Sequence, residues 1–186
     1  MLGTSVVPDV TSTLTAPLRS RTSSPALDFE ALYRATRDDV YAYAATLLRD
    51  RAAAEDVTAA AFERAYRKQR TYKAARGSER AWLFGIARNA ALDELRRRKR
   101  SAALAAEPAD VEAAPPEDAA EAALRRAAVR VALARLEGRE RELIALKFHA
   151  GLDNSEIAAV LGVSVSNAGT QLHRAMTKLR EAVEHA

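Results

Sequence analysis

The chain of 186 residues holds 43 alanines, so only about half of its 48% hydrophobic residues are large enough to build a core, which suits one or two small helical units. It has no cysteine, which excludes disulfide staples, thiol nucleophiles, Cys-ligated zinc and iron–sulfur clusters; with no run of roughly 18 uncharged apolar residues, a cytoplasmic protein without membrane insertion is expected. The net charge of +4 conceals segregation: Arg88–Arg100 alone carries +4, Arg67–Ser78 has five basic residues and no acid, and Ser101–Glu121 carries −6.

Abundant alanine and an aromatic content of 5% predict an all-α fold. Residues 1–27 contain ten Ser or Thr and three prolines without apolar periodicity, which predicts a disordered N-terminal extension carrying no site. From Asp28, a good N-cap, the residues Phe29, Leu32, Tyr33, Val40, Tyr43 and Leu47 recur at helical spacing and give a first helix ending near Asp50. Asp50 can cap a second helix, with Val57, Ala61 and Ala65 on its apolar side and Phe62 and Tyr66 on a neighbouring stripe. This helix fades into the basic stretch near Gln69. Ser78 followed by Glu79 reads as an N-cap with an acid in the first turn, opening a third helix to about Arg98 with Trp82, Ile86, Ala90 and Leu95 facing inward.

Three helices over 28–100 thus make one small domain. Residues 101–118, rich in alanine and acid and interrupted by Pro108, Pro115 and Pro116, are predicted to be a flexible acidic linker. A second helical domain follows over 119–186. Leu124, Ala128, Val131 and Leu136 share one side of its first helix, which Gly138 breaks; Leu143, Ile144 and Leu146 lie in the next, which Gly151 stops.

The last two helices carry the most specific signal. Asp153-Asn154-Ser155-Glu156 is a capping-box variant opening a helix with Ile157, Val160 and Leu161 inside, and Gly162 ends it. Ser164 caps the next helix, so only Gly162-Val163-Ser164 separates the two, the spacing of a helix-turn-helix, and the small Ala158 lets them cross closely. The final helix divides by angle into an apolar stripe (Ala168, Leu172, Ala175, Leu179, Val183) and a polar one (Asn167, Thr170, Gln171, Arg174, Lys178). Such a polar face reads base edges and phosphates, although any surface helix has a polar side. Gly169, mid-helix, either permits close approach to DNA or is tolerated at about 1 kcal/mol relative to alanine.

No feature suggests an enzyme. The sequence has no Gly-rich phosphate loop and no Gly-x-Ser-x-Gly elbow, and its three histidines (His149, His173, His185) lack ligand-like spacing. No catalytic residue, metal site or cofactor is expected.

Two segments resemble a known family. Ala54-Glu55-Asp56-Val57 with Phe62 and Ala65-Tyr66, then Trp82-Leu83-Phe84-Gly85-Ile86-Ala87-Arg88-Asn89 with Asp93 and Arg96-Arg97, resemble the second domain of bacterial RNA polymerase sigma factors of the extracytoplasmic-function type, in the sigma-70 family. Arg139-Glu140-Arg141-Glu142-Leu143 and the run from Gly151 to Arg180 resemble their fourth domain. The resemblance covers about 28–100 and 120–184.

It implies a sigma factor that binds core RNA polymerase, through the clamp coiled coil of the β′ subunit and the flap of the β subunit, and directs promoter-specific initiation. It implies core-binding roles for Glu55, Asp56, Phe62 and Arg64. It implies minus-ten binding and melting by Arg70, Tyr72, Lys73, Arg76, Trp82, Arg88, Asn89, Arg96 and Arg97, and minus-thirty-five reading in duplex by Ser164, Ser166, Asn167, Thr170, Gln171, Arg174 and Lys178. The chemistry of the basic loop agrees, since cations track phosphates and aromatic faces stack on unpaired bases. Trp82 reads first as a core tryptophan and second as a stacking surface; Arg76, Arg88 and Asn89 are the stronger DNA-contact candidates. The resemblance also implies an inhibitory anti-sigma partner. The chain departs from the family where Thr58-Ala59-Ala60 replaces a common Gln-Glu pair, and where Val165 and Ala168 lie in the recognition helix. The rival reading is a stand-alone helix-turn-helix repressor or activator, which accounts for 139–184 but leaves the basic loop without a role.

Overall fold

The computed structural model describes residues 27–104 and 120–184, and side chains outside 102–126. The expected N-terminal extension and most of the expected linker lie outside the described residues. Those residues form seven α-helices and no strand: α1 (Phe29–Leu48), α2 (Arg51–Lys68), α3 (Glu79–Leu104), α4 (Ala120–Arg135), α5 (Gly138–Phe148), α6 (Asn154–Leu161) and α7 (Val165–Glu184). Two single 3₁₀ turns, Gln69–Thr71 and Ala74–Arg76, carry the chain from α2 to α3.

The caps form where the sequence places them. Asp28 accepts from the Ala31 amide and Asp50 from the Ala53 amide. Between α1 and α2 the backbone reverses through Arg49, whose φ of 55° is the one positive value of a non-glycine residue among the described residues. α1 therefore ends at Leu48, slightly before the expected boundary. α3 runs past Arg98 to Leu104, into the expected linker, because Ser101-Ala-Ala-Leu offers good helix formers and no proline stands before Pro108.

α1, α2 and α3 pack as one unit. Leu32, Val40, Tyr43, Leu47, Val57, Ala61, Phe62 and Ala65 are buried as the spacing predicts, whereas Tyr33, expected on the same face, is exposed; Tyr43 meets Phe84 edge to face at 5.6 Å. Tyr66, predicted apolar-facing, is 59% exposed, with only its edge against Phe29. The inward face of α3 is also rotated from the prediction. Its buried residues are Ala81, Leu83, Phe84, Ala87, Ala90 and Ala91, whereas Trp82 and Ile86 are half-buried and Leu95 is exposed. The reason is that α3 is covered on two sides, by α1 and α2 on one and by α6 on the other, so a single-stripe reading fails.

α4–α7 form the second unit. Among the described residues, Ala132 of α4 and Leu136 just after it are buried, and Val131, expected inside, is exposed. Gly162 takes the left-handed conformation that ends α6, and the Ser164 hydroxyl accepts from the Asn167 amide at the start of α7. The glutamate and aspartate of the α6 capping box both engage: Asp153 accepts from the Ser155 and Glu156 amides, and Glu156 accepts from the Asp153 amide.

The two units are docked, α1 against α5 and α3 against α6, and their buried apolar residues form one continuous cluster. Polar contacts stitch this seam. Arg80 donates to the carbonyls of His149 (3.0 Å) and Ala150 and to Asp39, and stacks its guanidinium 5.5 Å over Phe84. Ser78 donates to Glu156. Arg88 pairs with Glu142 at 2.6 Å, and Glu142, 4% exposed, takes a second bond from Arg139 at 3.0 Å. Thr46 and His149 meet at 3.1 Å.

Replacing Glu142 with Ala should leave Arg88 and Arg139 in the seam without a carboxylate. Breaking a buried pair costs about 3–5 kcal/mol if the groups stay dry, and separation of the two units offers relief. The expected outcome is undocking before unfolding, seen as an increased radius of gyration in solution scattering and a lower first melting transition.

Burial pulls the His149 imidazole below its ordinary value of 6.5, against the opposing attraction of Asp39. Protonation is then harder in the folded chain than in the unfolded one, so stability is full above about pH 6.5 and falls as pH drops below it. The carboxylates with lowered values act lower still: Glu94, bonded by Arg97 and Arg98, sits at about 2 and weakens the fold only below about pH 4.5. Melting between pH 7.5 and 5.5 should therefore show a decline that His149→Gln removes.

Candidate nucleic-acid interface

The basic loop between α2 and α3 is held in shape by its own hydrogen bonds. The Tyr72 hydroxyl donates to the Gly77 carbonyl at 3.1 Å, and Ser78 caps α3 by accepting from the Ala81 amide at 3.1 Å. The Tyr72 ring lies 5.7 Å from Trp82, tilted by 58°. These aromatics sit in a cleft of about 520 Å³ with Lys73, Arg76 and Asn89 at its edge and Ala159 and Val160 of α6 as its far wall. Trp82 is thus neither a core tryptophan nor fully exposed: one part packs on the core and one part lines the cleft. An aromatic pair beside unpaired cations can stack an unpaired base, at about 1–3 kcal/mol per base, and follow its phosphates.

Of the residues expected at the minus-ten element, the structure brings together Tyr72, Lys73, Arg76, Trp82 and Asn89 in this cleft. Arg70 is exposed on the loop outside the cleft's lining. Arg88 is committed to Glu142 across the seam. Arg96 and Arg97, two turns further along α3, are exposed but bonded within the helix to Asp93 (3.1 Å) and Glu94 (2.7 Å).

The second expected set lies on α7. Ser164, Ser166, Asn167, Thr170, Arg174 and Lys178 are exposed and Gln171 is half-buried, so one outward face carries the whole set. Local bonds order it: Gln171 donates to Asn167 at 2.7 Å and Thr170 to the Ser166 carbonyl at 3.0 Å. Lys178 is engaged with Glu140 of α5, and that bond holds the Glu140 carboxyl below the usual range. Arg174 makes no ion pair among the described residues, which leaves its guanidinium available. Gly169 faces the Asn154 side chain, 3.6 Å from where a Cβ would stand, an ordinary contact distance, so packing between α6 and α7 does not itself require glycine there.

Of the residues expected to bind polymerase, Glu55 and Asp56 are exposed on α2, and Arg64 pairs with Asp93 of α3 at 3.3 Å. Phe62 is only 6% exposed and packs edge-on against Tyr33 at 4.8 Å and Phe29 at 6.4 Å. It is a core residue that supports the α2 surface from beneath. Sequence reasoning missed Arg80 and Glu142, the two residues that tie the units together. Their partners in the other unit lie 54 to 70 residues away, and nothing in one sequence announces such pairs.

Comparison with known proteins gives two family matches in chain order: Sigma-70 region 2 over residues 32–101 and Sigma-70, region 4 over residues 126–179. The chain is 32% identical over 166 residues to ECF RNA polymerase sigma factor SigL of Mycobacterium tuberculosis, covering 87% of this chain and 94% of that protein. It is 29% identical over 185 residues to ECF RNA polymerase sigma factor SigK of Mycobacterium bovis, covering 95% and 97%. Its fold is similar to that of the sigma factor RpoE in complex with the anti-sigma factor NepR from Bartonella quintana, with a TM-score of 0.74 and 25% identity over 84% of this chain and 97% of that one. It is also similar to CnrH in complex with the cytosolic domain of CnrY, with a TM-score of 0.62 and 25% identity over 84% and 88%.

The turn of the helix-turn-helix depends on Gly162, whose φ is +68° with nothing within 4 Å of a would-be Cβ. Gly162→Ala should therefore destabilise through backbone strain alone, by about 1–2 kcal/mol. Gly138→Ala, in the first turn of α5 with equally open space and no positive φ, should stabilise by about 0.4–1 kcal/mol. Paired denaturant titrations would show opposite signs.

Proposed function

The chain belongs to the extracytoplasmic-function RNA polymerase sigma factors, proteins that direct transcription initiation, and from that premise we propose that it binds core RNA polymerase and recognises promoters at two elements. The helical unit over 28–100 takes the minus-ten element as it melts, and the unit over 119–186 takes the minus-thirty-five element as duplex. As a sigma factor it is a regulatory protein, and phosphodiester chemistry is left to the polymerase. The observation that carries this reading is the presence, in one chain, of two complementary nucleic-acid surfaces: an aromatic and cationic cleft at Tyr72, Trp82 and Arg76, and the Asn167, Thr170 and Arg174 face of α7.

Each surface suits a different form of DNA. The cleft offers stacking faces and unpaired cations, which fit a single strand. α7 presents a narrow polar face at the tip of a helix-turn-helix, which fits the major groove. Glu55 and Asp56 on the exposed side of α2, with Arg64 behind them, are the contacts proposed for the clamp coiled coil of the β′ subunit; the β flap is proposed to meet the α4–α7 unit. Two weak DNA sites gain from effective concentration when both are displayed at promoter spacing, which polymerase binding supplies.

The docked arrangement bears on this function. Val160 of α6 walls the cleft and Glu142 holds Arg88, so use of the α3 face by DNA requires the seam to open. An anti-sigma factor that favours the docked form would inhibit by population shift; RpoE and CnrH, each seen with a bound partner, support an inhibitory partner of this kind. The cytoplasm is the compartment proposed for all of these partners, and no helix among the described residues is long and apolar enough to cross a membrane. A stand-alone repressor is not favoured, since it leaves the cleft of the first unit without a role.

The purified chain should co-elute with bacterial core RNA polymerase and allow it to start transcription at new sites on genomic fragments. Arg174→Ala should then lower use of those promoters by about 1–3 kcal/mol, selectively at one base position if the contact is to a base edge. Absence of core binding, together with tight binding of a dimer to duplex DNA, would turn the reading to a repressor.

A further inference from the structure

At the corner where α1 turns into α2, four arginines gather that promoter binding leaves unused. Arg49 and Arg51 from that corner, Arg130 of α4 and Arg141 of α5 line a cavity of about 380 Å³, with Val131 and Leu133 supplying apolar wall. Ten other arginines of the described chain, among them Arg34, Arg64, Arg67 and Arg97, have carboxylate partners within reach at 4 Å or less. The four at the cavity have none among the described residues. The one carboxylate there, Asp50, is occupied: it caps α2 and pairs with Arg98 at 2.7 Å.

Arg141 is the sharpest feature. Its Nε and Nη1 are buried and make no hydrogen bond within the protein. Burial and the neighbouring Arg49 both pull its guanidinium below the usual range, so the fold holds a charge where lost hydration and a like-charged neighbour disfavour it. The two buried nitrogens carry a desolvation penalty that no partner offsets, although the side chain as a whole is only partly buried, and like charges gathered around it add repulsion. One oxyanion would relieve both, because guanidinium forks take phosphate and carboxylate oxygens in pairs.

We propose that this cavity binds a small organic anion, with its phosphate or carboxylate group on Arg141, Arg49, Arg51 and Arg130 and its apolar part against Val131 and Leu133. The volume falls in the range of small-molecule sites. The lining comes from both helical units, α1 and α2 on one side and α4 and α5 on the other, so the bound anion bridges the seam and favours the docked arrangement. This assignment stands on the cavity and its charges and is independent of how the chain meets DNA.

The test uses the full chain and two probes, inorganic pyrophosphate and ADP, against sodium chloride at matched ionic strength. Each effective probe should raise the melting temperature by about 3–5 °C at ten times its Kd, where chloride does not. Titration calorimetry should give a Kd at least tenfold weaker for Arg141→Met and unchanged for Arg37→Gln, an exposed arginine outside the cavity. Without probe, Arg141→Met should melt at or above the parent, because it removes the unpartnered charge. If that variant folds poorly, the double variant Arg51→Gln, Arg130→Gln, both exposed positions, carries the same binding comparison. Failure of both probes to bind, or equal binding by the cavity variants, overturns the proposal; a pyrophosphate response without an ADP response assigns the site to the anion alone.

Discussion

A carboxylate 4% exposed between two arginines is the contact on which the arrangement of this molecule turns. Glu142 accepts from Arg139 on its own helix and from Arg88 across the seam, so neither helical unit completes its charge balance alone. Buried pairs of this kind add little net stability over apolar packing, but their geometry admits one register. Here that register sets α5 against α1 and brings α6 onto the rim of the α3 cleft. Arg80 extends the same logic: one guanidinium answers two carbonyls at the end of α5 and Asp39 of α1 while covering the Phe84 ring.

The parts governed by local rules were legible in the sequence, and the parts governed by long-range pairing were not. Asp28, Asp50, Asp153, Gly162 and Ser164 each do what their residue type and position dictate, because a cap is decided within one turn of chain. The helix-turn-helix and its outward polar face followed from those caps together with the 3.6-residue period. The α3 face did not follow. A helix packed on two sides has no single stripe, so Leu83 and Ala87 went inside and Leu95 stayed out. Phe62 shows the same limit from the other direction: a motif residue can matter to a surface by packing beneath it.

Charge separates the two surfaces proposed for DNA from the scaffold more clearly than burial does. Most arginines on α2 and α3 have an acid three or four residues away or on the neighbouring helix, as Arg67 has Glu63 and Arg97 has Glu94. Such exposed pairs contribute little and are screened at moderate salt. Arg76 and Arg174 are exposed without an ion pair among the described residues, and that is the condition in which a cation can exchange its counterions for a phosphate backbone. Lys178, although on the same face as Arg174, has Glu140 to displace first.

The same arginine therefore has different value according to what its neighbours supply. Arg88 lies on the helix face expected to meet DNA, yet its charge is spent inside the molecule while the units are docked. Opening the seam frees Arg88 and uncovers the Val160 side of the cleft in one movement, but it also strips Glu142 of one partner. On the proposed function, polymerase or DNA would provide the compensating contacts, which would favour the open form where those partners are present and the docked form elsewhere. A fold that holds a cation proposed for DNA in its own interface would link partner binding to exposure of the proposed surface through one ion pair, Arg88 with Glu142.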